Sequence, residues 1–136
     1  MAKNYKINQW SLLILRLAIA AIFIYHGYGK LFVSGGFPKA VAMMNNLSIP
    51  LPTYSALLVG VVEFFGGILL LLGLLTKWAS LALIADMLVA LFKLHLKQGF
   101  GASEFVLLVM ASLIVILLSG SGKFSMGNSF KKKILH

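Results

Sequence analysis

The chain has 136 residues, of which 60% are hydrophobic and only 11% charged, with a formal net charge of +9 and no cysteine. Soluble domains run near about 25% charged, so the composition excludes an ordinary soluble globular domain and reads as one integral membrane domain. Without cysteine the chain itself holds no dithiol–disulfide couple, thiolate metal site or Cys-ligated iron–sulfur cluster. Its basic charge sits on lysines at helix ends and tails, which suits anionic lipid headgroups and makes nucleic acid an unexpected partner.

Residues 1–9 are polar, with Lys3 and Lys6, and Trp10 stands where an interfacial aromatic anchor belongs. The run SLLILRLAIAAIFIYHGYGKLF that follows is long enough to cross a bilayer core. Ala18-x-Ala20 faintly resembles a signal-peptide cleavage site. Arg16, however, would cut the apolar region to residues 10–15, too short for a signal. The run therefore reads as an uncleaved first span, about 10–31. Its ionisable residues Arg16, His26 and Lys30 are costly in lipid and are expected to face other helices or a water-filled cavity.

Gly35-Gly36 breaks this helix and Pro38 suits the first turn of another. Phe37, Val41 and Met44 recur at helical spacing, too briefly to span, so a short amphipathic helix over about 37–47 is expected at the interface or over the bundle mouth. Pro50 and Pro52 end it.

The second span, about 53–75, carries Glu63 near its middle. Gly60, Glu63 and Gly67 share one face, where small residues let a neighbouring backbone approach. A tight turn at Thr76-Lys77 leads to a third span, about 77–97, with Asp86 near its middle and Lys93, His95 and Lys97 towards its end. Ser103 suits the N-cap of a fourth span, about 104–119, which opens with Glu104. Gly120-Ser121-Gly122 stops it, and a tail ending in Lys131, Lys132 and Lys133 follows.

Four spans put both termini on one side. Lys3, Lys6, Lys77, Lys123, Lys131, Lys132 and Lys133 lie there; Lys30, Lys39, Lys93 and Lys97 lie opposite. Seven lysines against four favour cytoplasmic termini in a multi-pass cell-membrane protein. On that topology His26, Lys30, Lys93, His95 and Glu104 fall near the outer end, and Glu63 and Asp86 near the midplane. Arg16 lies ~9 Å inside the cytoplasmic end, able to rise towards Glu63 or Asp86 or to snorkel back.

The runs LRLAIAAIFIYHGYGKLF, GVVEFFGGILLLLGLLT and HLKQGF, with the closing GSGKFS, occur in an order and spacing that resemble the DoxX family of small four-helix membrane proteins, over roughly residues 11–127. The resemblance implies a subunit of a membrane oxidoreductase system linked to quinone. Its recurring polar positions are Arg16, His26, Lys30, Glu63, His95 and Glu104 here. Asp86 is not part of that pattern.

Each polar residue also has a plainer reading. His26 and Lys30 are four apart and share a face, either as a pocket for a quinone headgroup or other polar ligand, with His95 and Glu104 at the same depth, or as an interfacial His beside a snorkelling Lys. Two histidines, His26 and His95, are a thin basis for a haem between helices, so haem is not expected. Arg16 and Glu63 are the best candidates for a buried ion pair, which serves as packing alone or, with Asp86, as a proton relay. Glu104 is equally an acid favoured by a helix N-terminus and a partner for His95, Lys93 or Lys30. Asp86 and Lys93 share a face but stand two turns, ~10.5 Å, apart. Tyr25, Tyr28, Met43 and Met44 read first as interface and packing residues.

The expected fold is all-α: an integral membrane four-helix bundle with one short amphipathic helix between the first two spans. The expected function is a DoxX-like subunit of a membrane oxidoreductase, binding a quinone-like or other small amphipathic ligand in a polar outer cavity. A non-enzymatic membrane scaffold or assembly factor with a structural polar core is the alternative, and a small-solute or proton conduit a third. Besides the lipid bilayer, an oxidoreductase partner subunit and self-association both stay open.

Overall fold

A computed structural model describes residues 8–134. Lys3 and Lys6, counted above for orientation, lie outside the described residues. Those described form six α-helices and no strand: α1 (Gln9–Leu31), α2 (Gly36–Asn46), α3 (Pro52–Leu72), α4 (Thr76–Ala90), α5 (Phe100–Ser119) and α6 (Met126–Ile134). Four helical segments are long and apolar enough to cross a membrane, Gln9–Leu31, Pro52–Leu72, Thr76–Gln98 and Phe100–Ser119. The protein is a multi-pass membrane bundle.

The α1 helix starts at Asn8, whose side chain accepts from the Trp10 backbone N–H at 3.0 Å, satisfying one of the orphan donors of a helix start. Leu12, Arg16, Ile19, Ala20, Phe23 and Gly27 make its buried face. That face packs most extensively against α3, and α4 and α5 close the ring. Glycines set the α1–α3 register. The Gly67 position lies against Ile24 and the Ala20 carbonyl, Gly27 lies on the Phe64 backbone, and Gly60 receives Leu31. Gly60, Glu63 and Gly67 are thus all on the packed face and all buried.

This antiparallel register matters for depth. Leu31, the last residue of α1, stands at the level of Gly60, so α3 continues about eight residues, ~12 Å, beyond the point where α1 stops. The amphipathic α2 occupies that space. Ala40 and Met44 are buried with Ala56 of α3, and Phe37, Val41 and Ile49 pack around them.

Several boundaries differ from the sequence expectation. The turn between the second and third spans lies at Gly73–Leu75, not at Thr76-Lys77. Gly73 takes the left-handed conformation at φ 70°, and the Leu74 N–H donates to the Leu69 carbonyl at 2.9 Å, a glycine stop at which α3 ends early. Ser103 is not an N-cap. Gly99 precedes the fourth spanning helix, and Ser103 is buried inside it, its hydroxyl donating to the Gly99 carbonyl at 3.0 Å. Glu104 therefore lies beyond the first turn, and the helix-terminus account of it fails. The α4 helix passes into a π turn over Leu91–His95 and a 3-10 turn over Leu96–Gln98. The basic tail is not featureless, since α6 places Met126, Phe130 and Ile134 on one face with three lysines in its last turn.

Candidate functional site

Two seams of the bundle meet at one cluster of charge. On the α1–α3 seam, Lys30 comes level with Glu63, and its ammonium donates to Glu63 Oε2 at 2.5 Å. On the α3–α4 seam Gly66 lies against Leu83. One turn further along both antiparallel helices, Glu63 is therefore opposite Asp86. Asp86 lines the same cavity as Glu63 and Lys30. Its Oδ2 is buried with no hydrogen-bond partner. Ionised carboxylates only accept, so two of them side by side need a donor, either the neighbouring Lys30 ammonium or a proton held by one of the carboxyls.

The cluster forms one end of a cavity of about 470 Å³. The remaining walls are mostly apolar: Met43 and Met44 from α2, Val59 and Val62 from α3, and Met87 and Ala90 from α4. Leu58, Ala82, Ala85 and Val89 also line it and are exposed, so the cavity opens sideways between α3 and α4, towards lipid. On the Arg16 side of the cluster Leu70, Leu83, Leu113 and Ile116 are completely buried and close the bundle. A chamber of this size with an apolar body and few convergent polar groups is the usual form of a small-molecule site.

The expected pairing of Arg16 with Glu63 is not present. Arg16 is buried beside Gly73, ten residues or ~15 Å along α3 from Glu63. Its Nη1 donates to the Ser121 carbonyl and its Nη2 to the Phe124 carbonyl at 2.6 Å. The guanidinium fork thus ties α1 to the GSGKFS segment after α5 by holding two carbonyls of that loop. Arg16 takes no part in the cavity, and Glu63 finds its cation in Lys30 instead. Of the outer group, only Lys30 lines the cavity. His26 is exposed on α1 with its ring edge-on to Tyr25 at 5.7 Å. His95 is half-buried in the π turn with Nδ1 unpartnered, and Glu104 is exposed on α5. Neither borders the cavity. The structure thus does not assemble His26, Lys30, His95 and Glu104 into one pocket.

Lys30, Glu63 and Asp86 are all candidates from the sequence, but counting along α1 alone puts Lys30 at the outer end and the two acids near the midplane. The signal that would have corrected this is the glycine pattern: Gly27 stacked on residue 64 and Gly60 under residue 31 bring Lys30 level with Glu63. Met43 and Met44, read as packing residues, are cavity walls.

The DoxX family model matches residues 11–96. An uncharacterised Haemophilus influenzae protein is 33% identical over 94% of this chain and 96% of its own length. An uncharacterised membrane protein of Mycobacterium tuberculosis is 31% identical over 90% of this chain and 83% of its own. The Bacillus subtilis protein named "Putative oxidoreductase CatD" is 30% identical over 89% of this chain and 85% of its own. No solved structure matches the chain.

Proposed function

The chain belongs to the DoxX family of membrane proteins, and on that premise we propose that it binds a quinone-like or other small amphipathic ligand in the cavity between α2, α3 and α4, as a subunit of a membrane oxidoreductase system. The observation that carries this reading is the union of an apolar chamber open to lipid with a charged cluster at its inner end. A ligand entering sideways from the bilayer keeps its tail among Leu58, Val59 and Val89 and presents its polar head to Lys30 and Asp86. Lys30 donates to a carbonyl oxygen of such a head, and a carboxylate of the cluster accepts from a hydroxyl. The relative named as an oxidoreductase supports the redox half of the reading.

A pocket rather than a through-membrane conduit is favoured by the apolar plug of Leu70, Leu83, Leu113 and Ile116 beneath the cluster. The cytoplasmic placement of both termini is part of the proposal and rests on the lysine asymmetry.

The test is ligand recovery and titration. Mass spectrometry of an organic extract from detergent-purified protein should show a lipophilic ligand, and decylubiquinone should bind the emptied protein. Ala85→Trp, which fills the mouth, should abolish both, and Asp86→Asn should weaken binding. No extractable ligand and no binding in the parent protein would leave the cluster as a packing element of a scaffold.

A further inference from the structure

A second cleft adjoins the cavity on the α2 side. It has a volume of about 390 Å³ and is walled by Asn46 and Ser48 at the end of α2 and by Lys93, Lys97 and Gln98 at the irregular end of the third span. Leu47 and Leu94 line both this cleft and the cavity. The polar cleft and the apolar chamber therefore share a wall rather than standing apart.

Local backbone geometry builds the cleft. The π turn, in which the Leu96 N–H donates to the Leu91 carbonyl, widens the helix where Lys93 and Lys97 emerge, a deformation often found at functional sites. Ser48, at φ 54°, turns the chain back after α2 and leaves the Asn46 and Ser48 side chains beside them. Charge is uncompensated here. The chain has three acids: Glu63 and Asp86 belong to the inner cluster, and Glu104 does not line the cleft. Neither lysine has an ion-pair partner among the described residues.

We infer that this cleft is a binding site for the phosphate of an anionic phospholipid, one of whose acyl chains passes Leu47 and Leu94 into the α2 end of the cavity. Two ammonium groups with hydroxyl and amide donors at one end, and a continuous apolar wall at the other, complement an anionic amphiphile better than a free anion. Each lysine near a membrane surface contributes about a fivefold preference for anionic lipid. The phosphate site is separate from the inner cluster, and the acyl chain shares only the Leu47–Leu94 end of the cavity.

Native mass spectrometry of the delipidated protein, titrated with phosphatidylglycerol, tests it. Phosphatidylglycerol should bind more tightly than phosphatidylcholine, and glycerol 3-phosphate, the headgroup chemistry without chains, should not compete at equal concentration. Lys93→Gln and Lys97→Gln should each weaken phosphatidylglycerol binding about fivefold, whereas Lys39→Gln, at the same end but outside the cleft, should not. Lys93 and Lys97 are exposed, so these variants should keep the parent melting temperature. Asp86→Asn should leave lipid binding intact, which separates failure here from failure of the cavity reading. Equal lipid affinity in all three lysine variants would overturn the inference. Glycerol 3-phosphate competing as well as the lipid would overturn the acyl part and make the cleft a free-anion site.

Discussion

Lys30 Nζ stands 2.5 Å from Glu63 Oε2, so the last turn of α1 is bonded to the middle of α3. The contact arises from the glycine register of the α1–α3 seam, which brings the two residues level. One residue later α1 ends, and α2 folds over the gap and leaves a chamber whose inner end is this pair and Asp86.

Breaking that pair should be costly. Lys30→Met leaves both Glu63 and Asp86 without their cation, a loss of about 3–5 kcal/mol for a buried pair, whereas Glu63→Met leaves Lys30 beside Asp86 and should cost less. The double variant should recover only part of the Lys30→Met loss: apolar residues often replace a buried ion pair well, but Asp86 stays without a cation. Thermal unfolding in detergent measures all three, and strictly additive losses would show that the two residues do not interact.

Arg16 should behave independently of that pair. Its guanidinium holds two carbonyls of the segment between α5 and α6, so Arg16→Met should destabilise the protein and expose that segment to amide exchange. Arg16→Lys should rescue little, since a single ammonium does not reproduce the planar fork. Combined with Glu63→Met the effects should add within about 0.5 kcal/mol, as expected for sites well beyond 10 Å apart. A larger coupling would restore an Arg16–Glu63 interaction.

The helix register is testable at two neighbouring glycines. A methyl at Gly27 would run into the Phe64 backbone, which cannot move aside without shifting α3, whereas Gly29 has open space around its Cβ position. Gly27→Ala should therefore cost about 1–3 kcal/mol, the usual range for overpacking. Gly29→Ala should be neutral or slightly stabilising in the same melting assay. Equal tolerance at both positions would mean that α1 and α3 are packed in another register.

Orientation can be read with single cysteines, because the chain has none of its own. Lys39 on α2 and Lys97 at the end of the third span lie at one end of the bundle, and Lys131 on α6 follows α5 at the other. A membrane-impermeant maleimide applied to intact cells should label Lys39→Cys and Lys97→Cys and spare Lys131→Cys until the membrane is opened. The reverse pattern would place both termini outside.

Four apolar runs, the interfacial helix and the small-residue face of α3 were all legible in the chain, because a bilayer demands long apolar helices and close helix packing demands glycine. The identity of the important polar residues was legible for the same reason: an ionisable side chain in such a run has to have a partner or a cavity. Which partner was not. Arg16 and Glu63 are both buried and opposite in charge, and only the register of Gly27, Gly60 and Gly67 across the α1–α3 seam shows that they stand ~15 Å apart. The cavity was likewise invisible. It exists because α1 stops eight residues short of the start of α3 and α2 roofs the difference, a fact about where three helices end relative to one another. Spacing along a helix specifies a face. The level at which one face meets another is set by packing between segments distant in the chain, and that decided which charges meet, where the chamber lies and which side it opens.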